Sequence, residues 1–135
     1  MIVVIDTNVI VSAFWSKSGI SANVLNLMLN EVIRPCYDAR ILIEYSKVLF
    51  RPHFKFPPEN VVSLLSKIEE FGVSVTPAPV SLPFTDIKDK KFYEVAKHCN
   101  AILITGNGRH FPQEPNIVTP AEFLNKIIFS GDDQS

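Results

Sequence analysis

The chain lacks the marks of the commonest special classes. No apolar run approaches the roughly 20 residues needed to span a bilayer. The N-terminus has no basic region followed by an apolar stretch and a small-residue cleavage site. Both absences point to a cytoplasmic protein without a membrane partner. Cysteine is limited to Cys36 and Cys99, with no C-x-x-C spacing. Both sit in apolar surroundings and read as reduced, buried, small side chains. The three histidines, His53, His98 and His110, show no zinc-ligand spacing, and no H-E-x-x-H occurs. The phosphate-cradling G-x-x-x-x-G-K and G-x-G-x-x-G loops are missing, which argues against a nucleotide cofactor. The absence of G-x-S-x-G weakens a serine hydrolase. A strongly basic footprint is missing too: 13 Lys and Arg stand against 14 Asp and Glu, a net charge of −1. This disfavours tight, non-specific binding to duplex DNA. It still permits an enzyme that meets a polyanion through a local basic rim and metal ions.

What remains is a globular composition, 47 % apolar and 20 % charged over 135 residues. That suits one domain with one core, placed at residues 1–130, with a polar and disordered tail at 131–135. No repeat or low-complexity tract interrupts it. "IVVI" reads as a buried strand and "SANVLNLMLNE" as a helix with Ser21 as N-cap. "VIRPCY" is a strand weakened by Pro35. In "DARILIEYSKVLF", Ile41, Leu42, Tyr45, Val48 and Leu49 share one helical face, and Pro52 ends the element. "PPENVVSLLSKIEEFG" is a helix opened by proline and closed by Gly72. "VSVTP" is a strand. "DIKDKKFYEVAKHC" is a helix with Phe92, Val95, Ala96 and Cys99 on one stripe. "AILIT" and "NIVTP" are strands, and "AEFLNKIIF" is a closing helix. Strands alternating with helices predict a three-layer α/β/α sandwich around a central parallel sheet.

Ligands of such a sheet bind beyond the carboxyl ends of its strands. Asp6 stands at one of these ends, between two apolar segments, where a carboxylate needs a partner or a task. Its alternative role is to cap the next helix. Glu44 falls at the border of an apolar stripe, where many glutamates simply face solvent. Asp89 lies one turn before Phe92 and continues the buried stripe of its helix. Asp86 reads as an N-cap, or otherwise as a group that supports the site from a second layer. Asn107, in "ITGNGRHF", stands at another strand end, or serves as a turn residue between glycines. Asn8 and Ser12 follow Asp6 into the next helix, where they bond ligands from a second layer, Asn8 alternatively acting as a cap. An all-oxygen, acidic set of this kind suits Mg²⁺ or Mn²⁺. Lys90 and Arg109 are the preferred phosphate contacts, with Lys91 and His110 behind them. Arg40 and Lys47 lie off the apolar stripe and read as solvated.

The motifs "VVIDTNVIVSA", "ILIEYSKVL", "DIKDKKFYEVA" and "AILITGNGRHFP" occur in this order. Together they resemble the PIN domain (PilT N-terminus) family, the metal-dependent ribonuclease fold that includes the VapC-like toxins of toxin–antitoxin pairs. The closing "IVTPAEFL" resembles one branch of toxin components. The resemblance implies that Asp6, Glu44 and Asp89 are catalytic and hold metal, with Asn107 as a weaker ligand and Thr105 completing the rim. Many relatives carry a fourth acid where this chain has Asn107, so a charge for a second ion is missing. The implied activity is endonucleolytic cleavage of single-stranded RNA, leaving a 5′-phosphate and a 3′-hydroxyl. The implied partners are a small antitoxin protein and a second copy of the chain, as a homodimer. The competing readings are an inactive PIN-fold module that binds RNA or protein, and a phosphoacceptor signalling domain. The latter wants an aspartate after its third strand, and "VSVTP" ends without one.

Overall fold

Strand β1 (Ile2–Ile5) is the axis of the molecule, and its continuous β-branched run explains why. Val3, Val4 and Ile5 are all buried, as a strand covered on both faces requires. In the computed structural model, which describes residues 1–133, the chain continues as α1 (Thr7–Trp15), α2 (Ile20–Leu29) and β2 (Arg34–Tyr37). Then come α3 (Ala39–Leu49), α4 (Pro58–Phe71), β3 (Val73–Ser74) and α5 (Lys90–Cys99). β4 (Ile102–Ile104), β5 (Ile117–Val118) and α6 (Pro120–Asp133) complete the order. The tail expected at 131–135 overlaps the last turn of α6, and residues 134–135 lie outside the described residues.

The five strands form one parallel sheet in the order β3-β2-β1-β4-β5. This is the expected α/β sandwich. Strands β1 to β3 are laid down in one direction, and β4 then returns to the other side of β1. The direction of winding therefore switches between β1 and β4, and a crevice opens beyond their carboxyl ends. Register puts Ile5 beside Ile104, so the next residues, Asp6 and Thr105, flank that crevice together.

Several local details differ from expectation. The N-cap of α2 is Gly19, not Ser21, because the helix begins at Ile20, two residues before the start that a Ser21 cap implies. Pro35 sits within β2 without breaking it. The Arg34 N–H bonds Met1 O toward β1, so the position of the missing Pro35 N–H faces β3. There the ladder starts only at Cys36. The two cysteines, expected as separate buried side chains, are neighbours: the fold brings the sulfur of Cys36 on β2 against that of Cys99 at the end of α5. Their separation of 63 residues hid this approach from sequence.

Candidate active site at the switch point

Asp6 occupies the N-cap position of α1 but makes no side-chain capping bond. Its Oδ2 instead accepts the hydroxyl of Thr105, at 2.8 Å, across the crevice. Thr105 is fully buried, and its Oγ1 also accepts the Asn107 N–H at 3.0 Å. Burial raises the Asp6 carboxyl from 3.8 to about 6. The Thr105 bond opposes that rise, and the charges of Asp89 and Glu44 add to it. The three acids therefore share one electrostatic neighbourhood. The tyrosine beneath them, Tyr45, donates to Ile5 O at the end of β1. Burial first, and then the Asp6, Glu44 and Asp38 charges, push its hydroxyl well above the ordinary range, so it remains a neutral donor.

Glu44 is half-buried on α3, as its border position on the apolar stripe implies. One oxygen accepts the Thr7 hydroxyl. The other pairs with Lys91 Nζ at 2.6 Å. Lys91 is thus an internal counter-ion rather than a free phosphate contact. Its side chain is only 12 % exposed, lies against the Phe92 ring, and also donates to Lys88 O. Asp89 is not inside a helix. A 3-10 turn at Ile87–Asp89 runs into α5, and Asp89 stands at the N-cap position of that helix without a side-chain capping bond. Asp86 caps that turn by accepting the Lys88 N–H at 3.0 Å. Asp89 is raised by burial first and by Asp86 second, with His110 and Lys91 opposing. His110 Nδ1 lies 3.3 Å from Asp89 Oδ2, yet that buried oxygen has no hydrogen-bond partner among the described residues.

The remaining expected residues spread around this centre. Asn8 accepts the Gly106 N–H at 3.2 Å, tying α1 to the loop after β4. Ser12 is exposed one turn further along α1. Asn107 and Arg109 are exposed at the 3-10 turn Gly108–His110, and Lys90 is half-buried at the start of α5. Arg40 is not simply solvated. It binds Asp38 at 2.7 Å and the buried Glu94 at 2.9 Å, while Glu94 also accepts the Val80 N–H. This network secures α3 to α5 and to the loop before α5. Thr7 was not foreseen, although a hydroxyl directly after Asp6 was the available signal.

Among the described residues, no three His, Cys, Asp or Glu groups stand close enough to form a ready-made metal cage. Glu44 is drawn to Lys91 and Thr7, and Asp89 leans toward His110. That is what mutually repelling carboxylates do when local donors are available. The donor set still fits a hard divalent cation. All its donors are oxygens, the Asp6 charge is penalised by burial and then by its acidic neighbours, and one buried Asp89 oxygen has only His110 Nδ1, at 3.3 Å, facing it among the described residues.

These features define a parallel α/β domain with clustered acids at its topological switch point. The PIN domain family model matches residues 2–109, and the chain belongs to that family. PIN domains are generally nucleases and typically use divalent metals. The chain is similar to the uncharacterized protein MJ1680 of Methanocaldococcus jannaschii, 32 % identical over 108 residues, covering 78 % of this chain and 70 % of that protein. No solved structure gives a significant match. Among the described residues, no helix is long and apolar enough to cross a membrane.

Proposed function

We propose that the protein is a divalent-metal-dependent endoribonuclease that cleaves single-stranded RNA, acting in the cytoplasm as the toxin of a toxin–antitoxin pair. The observation that carries this reading is the Asp6 carboxylate, buried and raised to about 6 beside Asp89 and Glu44. Such an arrangement is costly unless a cation offsets it. Asp6, Asp89 and Glu44 would hold Mg²⁺ or Mn²⁺, and Asn107 would offer a neutral oxygen beside them. When bound, the ion would supply charge for the phosphoryl oxygens and acidify water. The chain's own groups do the positioning. Thr105 fixes one Asp6 oxygen, while Thr7 and Lys91 orient Glu44. Lys90 and Arg109 border the site as phosphate contacts. A small antitoxin and a second copy of the chain are the partners of this reading.

Calorimetric Mn²⁺ titration and cleavage of single-stranded RNA, both run on wild type and Asp6→Asn, test it. Binding and chelator-sensitive cleavage should appear in the wild type and be lost in the variant. Equal Mn²⁺ affinities would sink the site assignment. Duplex DNA cut as fast as RNA would contradict the substrate. The alternative, an inactive PIN-fold binding module, is favoured by the neutral residue at Asn107 and requires RNA binding without cleavage.

A further inference from the structure

Helix α1 carries a stripe away from the carboxylates. Asn8, Ser12 and Trp15 are spaced by four and three residues and so share one face. Asn8 is tied to the site loop, while Trp15 lies about 10 Å further along the axis. The Trp15 side chain is 61 % exposed. Its indole meets Phe54 and Phe56 edge-on, at 5.8 and 5.3 Å between ring centres. Those two rings stack on each other at 5.0 Å, and His53 lies 4.5 Å from Phe54. Between them, Lys55 has φ 55, a left-handed conformation that disfavours any residue with a Cβ. The turn brings the Phe54 and Phe56 rings together on either side of a lysine.

The two chain segments that carry this cluster have charge of one sign. Residues 7–30 and 45–58 contain no aspartate or glutamate, in a chain whose net charge is −1. Lys17, Lys47, Arg51 and Lys55 are exposed, and none forms a salt bridge among the described residues. A purely apolar ligand would leave these cations unused. Aromatic planes interleaved with unpaired cations suit a single-stranded nucleic acid, whose bases stack while its phosphates pair.

We propose that Trp15, His53 and Phe54, flanked by Arg51 and Lys55, form a stacking platform for single-stranded RNA. From it the strand reaches the carboxylates along the Asn8–Ser12 face. The path rests on the nuclease reading above, whereas binding at the platform does not. Trp15 is the single tryptophan of the chain, so base stacking is read as quenching of its fluorescence. Full-length protein in a chelator, titrated with oligoadenylate, should show saturable quenching that weakens as salt rises. Followed by anisotropy of labelled oligoadenylate, Trp15→Ala should weaken binding about tenfold. Lys55→Gly keeps the left-handed turn without strain. It should still bind severalfold more weakly, with a salt slope reduced by about one. Wild-type affinity in both variants, or no quenching at saturating oligonucleotide, would overturn the platform even where Mn²⁺-dependent cleavage persists. Quenching without any such cleavage would retain the platform and overturn the nuclease reading. Wild-type RNA affinity together with Trp15-dependent self-association in sedimentation would make this face a protein interface, which also overturns the proposal.

Discussion

At the scale of residues, the site is a contest between burial and charge. Asp6 could be singled out from "IVVIDTNVIV" because a carboxylate between apolar segments demands a partner. The sequence could not show that the partner is Thr105, 99 positions away. The same distance problem hid Thr7 against Glu44, 37 positions apart, and Arg40 against Glu94, 54 apart. Periodicity reports which face a side chain occupies, not which charge awaits it there. Lys91 is the clearest case. Read as a basic residue near the rim, it proves to be half-buried and paired with Glu44. Its ammonium competes with any divalent ion for that carboxylate. Lys91→Met keeps the volume and removes the competitor. Mn²⁺ should then bind severalfold more tightly. The metal-free protein should lose about 1–3 kcal/mol, because Glu44 keeps only the Thr7 bond among like charges. Calorimetry and urea unfolding in a chelator measure the two effects. Unchanged Mn²⁺ affinity would mean that the Glu44–Lys91 pair survives metal binding and that Glu44 is not a ligand.

Elements were more legible than contacts. Buried strands announced themselves as short β-branched runs, and α3 and α5 as apolar stripes, because those patterns follow directly from strand and helix geometry. Boundaries were less legible. The segment from Ile87 to Cys99 carries one continuous pattern, yet it divides into a 3-10 turn and α5 at Asp89. Side-chain periodicity barely distinguishes the two over a single turn. Gly72 was expected only to end α4, but the packing asks more of it. A Cβ there would lie 2.4 Å from Ile68 O, 2.9 Å from Pro35 O and 2.9 Å from the Tyr37 ring. Two of these neighbours are backbone and cannot rotate away. Gly72→Ala should therefore cost about 1–3 kcal/mol by overpacking the junction of α4, β2 and β3. A fall in the urea midpoint of that order is expected. An unchanged midpoint would mean that the short β3 edge yields without penalty.

At the scale of the whole molecule, the return of β4 to the far side of β1 is what turns separate motifs into a site. The class of fold followed from the alternation of strands and helices, but the strand order did not, because it rests on pairings between chain-distant strands. Nor did the pairings that tune the charges, because they also join chain-distant elements. Folding concentrates Asp6, Asp89 and Glu44 at one rim, so global stability should record their ionisation. The Asp6 carboxyl is raised from 3.8 to about 6 in the folded protein. Below 3.8 both folded and unfolded chains hold this proton, and Asp6 carries no electrostatic penalty. As pH rises toward about 6, the unfolded chain releases the proton while the folded chain retains it, so stability falls. Above about 6 the penalty levels off, at up to about 3 kcal/mol for a shift of this size. Without metal, wild type should thus lose stability across this interval, and Asp6→Asn should lose less and be the more stable protein at neutral pH. A bound divalent cation favours the ionised carboxylate and reverses the sign. The rise in melting temperature caused by Mn²⁺ should grow as pH increases through about 6, and Asp6→Asn should show little of it. Thermal unfolding of both proteins over this range, with chelator or with Mn²⁺, decides the matter. Parallel stability curves for wild type and Asp6→Asn without metal would mean that Thr105 and the surrounding dipoles already satisfy the carboxylate, and that its burial requires no ion.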